Sequence, residues 1–105
     1  MQGELPAAYR SFANAHPRVM EAYEQLGEAC GASGPLDRKT TELVKLGLAV
    51  GARLEGAVHA HARRALGAGA SPDEIRHAVR LAVTTVGFPT MMAALSWVDD
   101  VLGDA

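Results

Sequence analysis

Aromatic residues are scarce: two Phe, two Tyr and one Trp make up 5% of the 105 residues. A core built on large rings is therefore excluded, and Ala, Leu and Val must fill it. Cysteine is rarer still. The single Cys30 cannot close an intrachain disulfide, and no CxxC pair or Cys/His cluster of zinc spacing is present, which excludes a thiol pair and a structural zinc and fits a reducing compartment. An excess of one charge is also missing, because ten Lys and Arg stand against twelve Asp and Glu, interspersed, for a net charge of -2. Nucleic acid and anionic membranes are accordingly not expected as partners. No apolar run reaches the ~18 residues of a membrane span, and the N-terminal MQGELPAAYRSF has no basic segment followed by an apolar one. A cytoplasmic protein is expected.

What is present is 49% hydrophobic residues, arranged with helical periodicity and without strict alternation, which predicts an all-α fold. The length suits a single domain, 1–105, with an N-terminal helical region over 1–34 and a core over 36–104. A chain this short buries about 60 to 70% of its unfolded surface, so further burial through homo-oligomerisation is favoured.

Pro17 can open a helix in which Met20, Tyr23, Leu26, Gly27 and Cys30 form one apolar stripe, expected to face the core, with Cys30 serving as a small hydrophobe. Residues 31–35 (GASGP) end it, and Asp37 is placed to cap the next helix, about 38–53. From Leu43 to Ala52 that helix carries one charge, Lys45, so it should be central and buried. Glu42, immediately before that apolar stretch, is the first candidate functional residue.

The following helix, about 55–68, places Leu54, Val58, Ala62 and Ala65 on one side at ~100° per residue, with His61 at the edge of that stripe, facing inward. Glu55, His59 and Arg63 recur at intervals of four and form a separate, outward row suited to exposed charge pairs. Two residues apart means ~200° of rotation, so His59 and His61 cannot share one metal ion; no metal site is expected. Ser71-Pro72-Asp73-Glu74 is a complete helix start, with Ile75, Val79, Ala82, Val83 and Val86 as the core face that follows and His77 on the surface. Gly87-Phe88-Pro89 breaks the pattern before a last helix with Met91, Leu95, Val98, Val101 and Leu102 inward.

From Leu36 onward, the helix of Glu42, the HxxxAL stretch (61–66), the GASPDEI stretch (69–75) and the GFP stretch (87–89) occur in the order found in the carboxymuconolactone decarboxylase superfamily, which the chain resembles. That superfamily includes the AhpD-like alkyl hydroperoxidases. The resemblance implies a small all-α protomer with a central antiparallel helix pair, assembled as a trimer or a hexamer of two trimers. It also implies a proton relay, Glu42 and His61 matching the relay Glu and His of the AhpD-like branch in type and spacing. The redox cysteines of that branch do not match, since Leu54 and Ala57 occupy their positions, and without a thiolate a hydroperoxide has nothing to attack it. The decarboxylase branch lacks the cysteines, as this chain does, and acts on γ-carboxymuconolactone; it keeps the His at the position of His61 but does not usually carry Glu at that of Glu42, so the sequence sits between the two branches. No cofactor is implied.

Two readings stay open. In one, the protein is a cofactor-free lyase or isomerase in which His61, oriented by Glu42, moves a proton on a small carboxylated or carbonyl substrate, with Phe88 to Met92 shaping an apolar pocket and Lys45, Arg53, Arg63 or Arg64 receiving the carboxylate. In the other, Glu42 and His61 merely satisfy one another inside a non-catalytic oligomeric binding or scaffold module.

Overall fold

The computed structural model describes residues 5–103. These form six α-helices and a 3-10 turn, with no strand among the described residues: α1 (Ala7–Ala15), α2 (Pro17–Ala32), α3 (Arg38–Gly51), α4 (Glu55–Gly67), α5 (Pro72–Arg80), the 3-10 turn (Leu81–Thr84) and α6 (Phe88–Leu102). They fall into two compact units, one up to Leu36 and one from Asp37.

The first unit is the helix pair α1 and α2. Pro17 cannot follow a helical residue comfortably, and His16 before it leaves the α region (φ -133°, ψ 64°), which separates the two helices. Neither helix has a buried residue. The stripe expected to face the core is largely exposed instead, with Met20 half-buried, Tyr23 and Leu26 about three-fifths accessible and Cys30 on the surface. Periodicity marks a face that can be buried but does not supply a partner for it.

In the second unit, side chains satisfy the orphan amides at two helix starts. Asp37 accepts from the Thr40 N–H at 2.7 Å to cap α3. At α5, Ser71 Oγ accepts from the Glu74 N–H at 3.0 Å while Glu74 accepts from the Ser71 N–H at 2.9 Å, a reciprocal capping box. Lys39 Nζ reaches the free oxygen of Glu74 at 3.1 Å and ties the two starts together.

The ends of α3 and α4 share one solution with different residues. After α4, Gly69 (φ +99°) donates to the Leu66 carbonyl and Ala70 to that of Ala65, a left-handed cap of the kind glycine favours. After α3, the same two bonds run from Arg53 to Val50 and from Leu54 to Ala49, yet the left-handed residue is Arg53, at φ +57°. That conformation costs a side chain about 1 kcal/mol or more. Arg53 offsets part of it by donating from Nη1 to Thr90 Oγ1 in the first turn of α6.

The short 52–54 connection folds α3 and α4 into an antiparallel pair. α6 packs on α4 and α5, and α5 packs on α3. Their shared core is Leu46 and Val50, Val58, Ala62 and Ala65, Ile75 and Val79, and Met91, Ala94, Val98 and Val101. Small residues dominate it, as the shortage of rings requires. α3 is buried on one side only: Val44 and Leu48 are exposed, which corrects the expectation of a helix buried all round. Leu54, expected on the core face of its helix, is also exposed. The predicted core face through Val86 stops early, because the chain tightens into a 3-10 turn after Arg80 and leaves Val83 and Val86 exposed. The β-branched run Val83-Thr84-Thr85-Val86 is poorly suited to continuing an α-helix, and the shift to three residues per turn rotates these side chains off the core phase.

Two measurements check this packing. Leu46→Ala is expected to lower unfolding free energy by about 2 to 5 kcal/mol and Leu48→Ala, two residues away on the exposed side, by less than about 0.5 kcal/mol, read by urea denaturation at dilute protein. The second concerns acid. The Thr40 backbone N–H, then its hydroxyl, hold the Asp37 carboxyl below its usual 3.8, and the Ser71 N–H, then Lys39, hold Glu74 below its usual 4.5. Both bind protons more weakly folded than unfolded, so the stability they contribute is complete above their unfolded values and is lost as pH falls through the folded ones. The difference in Tm between the native chain and Asp37→Asn/Glu74→Gln should therefore shrink as pH drops below about 4.5.

Candidate functional site

Glu42 lies in the second turn of α3, and its position brings a carboxylate to the inner side of an apolar helix, where it is nine-tenths buried. A carboxylate withdrawn from water needs a donor. His61 supplies it from the facing turn of α4, with Nδ1 at 2.8 Å from Glu42 Oε1. The pair is flanked along its own helices by Leu46, Val58, Ala62 and Ala65, all fully buried. It is not sealed, since the two side chains keep 12% and 18% of their accessibility.

The orientation of the ring decides what it can do. An ionised Glu42 accepts the proton of Nδ1, which leaves the lone pair on Nε2. His61 has no second hydrogen-bond partner among the described residues, so Nε2 is available to another molecule. The pair is thus an oriented imidazole with its acceptor nitrogen free.

None of the four cations expected to serve the site is ion-paired with Glu42 among the described residues. Arg53 is held by Thr90, and Lys45, Arg63 and Arg64 make no ion pair with any described residue. Leu54 and Ala57 stand one to two turns before His61, so hydrocarbon occupies the place where a reactive thiol pair would stand; Cys30 belongs to the other unit.

His59 points away from His61, in keeping with the 200° argument. Its partner is not Glu55 or Arg63 on its own helix, however: Nε2 meets Asp100 Oδ2 of α6 at 2.9 Å. Asp100 and Thr90 are the residues that sequence reasoning did not single out. Their contacts span 41 and 37 positions, and no local spacing signals them.

A cavity of about 500 Å³ opens between α3, α5 and the 3-10 turn, lined by Thr40, Leu43, Val44, Gly47, His77 and Leu81 among others. Neither Glu42 nor His61 lines it, and neither does any residue of the Phe88 to Met92 segment.

Removing the carboxylate while leaving the ring in place tests the pairing. Glu42→Ala should cost about 1 to 3 kcal/mol of stability in chemical denaturation, and Glu42→Gln, whose amide oxygen still accepts, less than half as much. In the native chain, imidazole ¹⁵N spectra should show His61 protonated at Nδ1.

Comparison with known proteins agrees with this architecture. A sequence model of the carboxymuconolactone decarboxylase family matches residues 17–100. The crystal structure of a carboxymuconolactone decarboxylase family protein from Legionella pneumophila superposes with a TM-score of 0.76 at 26% identity, covering 90% of this chain and 85% of that one. An uncharacterized protein of Haemophilus influenzae is 42% identical over 50 residues, which is 48% of this chain and 44% of the relative. The chain therefore aligns with less than half the length of that relative.

Proposed function

The chain belongs to the carboxymuconolactone decarboxylase family, and on that premise we propose that it is a cofactor-free lyase or isomerase in which His61 is the acid–base group and Glu42 its orienting partner. The observation that carries the reading is the 2.8 Å contact of His61 Nδ1 with a buried carboxylate, which leaves Nε2 without a partner among the described residues in a side chain that keeps 18% of its accessibility. Nε2 takes a proton from a carbon beside the carbonyl of a small carboxylated substrate, and the electron pair of that C–H bond moves into an enolate. The Glu42 carboxylate stabilises the imidazolium so formed. Returning the proton to a different atom of the substrate is isomerisation. In decarboxylation the electron pair comes from the breaking C–CO2 bond, and a protonated Nε2 delivers the proton to the carbon that has lost CO2.

The same protomer is proposed to work as a trimer or a hexamer. Support comes from large apolar side chains left on the surface of the second unit, Val44 and Leu48 of α3, Leu81, and Phe88 and Met92 of α6, more than an isolated small domain needs to expose. That apolar surface also favours the second reading, an oligomeric scaffold in which the Glu42–His61 contact only satisfies a buried carboxylate. Hydroperoxide reduction by thiols is set aside in both, because Leu54 and Ala57 carry no nucleophile.

The test is turnover of carboxylated lactones, γ-carboxymuconolactone first, followed by loss of CO2 or by exchange of substrate hydrogen with deuterium oxide. His61→Gln should lower kcat/KM by at least about 10²-fold with the fold intact by circular dichroism, and Glu42→Gln by a smaller factor that falls on kcat. Full activity in His61→Gln defeats the proton-transfer reading, and an inert native chain across the panel favours the scaffold.

A further inference from the structure

Outside the Glu42–His61 pair, three groups of unlike chemistry converge where α4 packs on α6. Glu55 and His59, one turn apart on α4, and Asp100 from α6 each offer one donor atom, and these three atoms all lie within 4.8 Å of one another. The other carboxylates seen in inter-helix contacts are answered by a cation or by the buried imidazole: Glu74 by Lys39, Asp99 by Arg76 and Glu42 by His61. Glu55 and Asp100 have no Lys or Arg within ion-pair distance among the described residues, and the Glu55 side chain makes no hydrogen bond to them. Two exposed carboxylates thus lie within 4.8 Å of each other, with the His59 imidazole as the one group of other chemistry beside them.

We propose that Glu55, His59 and Asp100 form a site for a first-row divalent transition metal, with zinc as the representative ion. One imidazole nitrogen and two carboxylate oxygens are the donors zinc accepts, three protein ligands leave its fourth position to water, and the set suits imidazole-seeking metals rather than magnesium, which demands oxygen alone in octahedral array. Tetrahedral zinc with bonds of about 2.0 to 2.1 Å places its donors about 3.3 Å apart. His59 Nε2 and Asp100 Oδ2, now 2.9 Å apart, need only separate slightly, and the flexible Glu55 side chain closes the rest. The spacing of four between Glu55 and His59 puts both on one helical face, as helical metal motifs require. Because His59 and His61 diverge, the ion joins α4 to α6 without touching the Glu42–His61 pair, and the inference does not depend on the reading of that pair.

Zinc chloride titrated into the chelator-stripped full chain by calorimetry, in the Cys30→Ser background to remove the surface thiol, should bind with 1:1 stoichiometry and raise Tm, while magnesium does neither. Cobalt(II) should give the visible absorption of a tetrahedral nitrogen–oxygen set. Glu55→Gln is the decisive variant, because it leaves the His59–Asp100 contact in place and still should weaken zinc binding at least about tenfold. His59→Ala should do so as well, and His77→Ala should leave it unchanged. Absence of saturable zinc binding, or binding that survives both Glu55→Gln and His59→Ala, overturns the proposal and leaves His59–Asp100 as an ordinary surface ion pair.

Discussion

The fold of the second unit is organised around one obligation, a carboxylate buried on the inner side of α3. Glu42 cannot be withdrawn from water unless a donor meets it, and the donor comes from the neighbouring helix at a fixed height. The contact with His61 sets which turn of α3 lies against which turn of α4. Sliding the helices by one residue would leave both polar groups unsatisfied among Leu46, Val58 and Ala62. The same requirement gives the ring its orientation, since the nitrogen that meets the carboxylate determines which nitrogen is left without a partner. Register and chemistry thus follow from a single contact.

Around that contact the core is made of small side chains. Ala49, Ala62, Ala65, Ala70 and Ala94 are buried, and the largest fully buried side chains are Leu46 and Ile75. Alanine at facing positions lets helices approach closely, and it returns little hydrophobic free energy per residue. Larger apolar side chains, Leu48, Leu81 and Phe88 among them, remain outside. The chain therefore carries on its surface a substantial part of the apolar area from which it could gain stability.

Much of this was legible in the sequence where the signal was local. Ser71 to Glu74 announced a capping box and Asp37 a cap, and each is where its chemistry placed it. That His59 and His61 meet different helices could be read from rotation alone, although His59, expected on an exposed row, is half-buried and paired with Asp100 of α6. Three features were not legible. The stripe of α2 is apolar and exposed because periodicity does not name a partner. The helix after Arg80 tightens because β-branched crowding outweighs a favourable hydrophobic phase. Asp100 and Thr90 acquire their roles from another helix, and nothing within a few residues of either distinguishes it from an ordinary surface acid or an ordinary helix-start threonine. Arg53 is a fourth case of a different kind: the position calls for glycine, and the sequence reading could not see that a side chain would be kept there to reach α6.

The absence of a buried side chain anywhere in α1 and α2 has a consequence for how free energy is distributed along the chain. Helices of nine and sixteen residues that pack on one another without burying a side chain gain little from tertiary packing and rely on their own hydrogen bonds, and such helices are marginal in water. Amide hydrogens of residues in α1 and α2 should accordingly be released to solvent by local fraying at little cost, whereas those around Leu46, Val58 and Val98 exchange only when the whole second unit opens. One continuous polypeptide thus combines two regimes of opening, and the boundary between them falls at the turn around Leu36, where the two units meet in sequence.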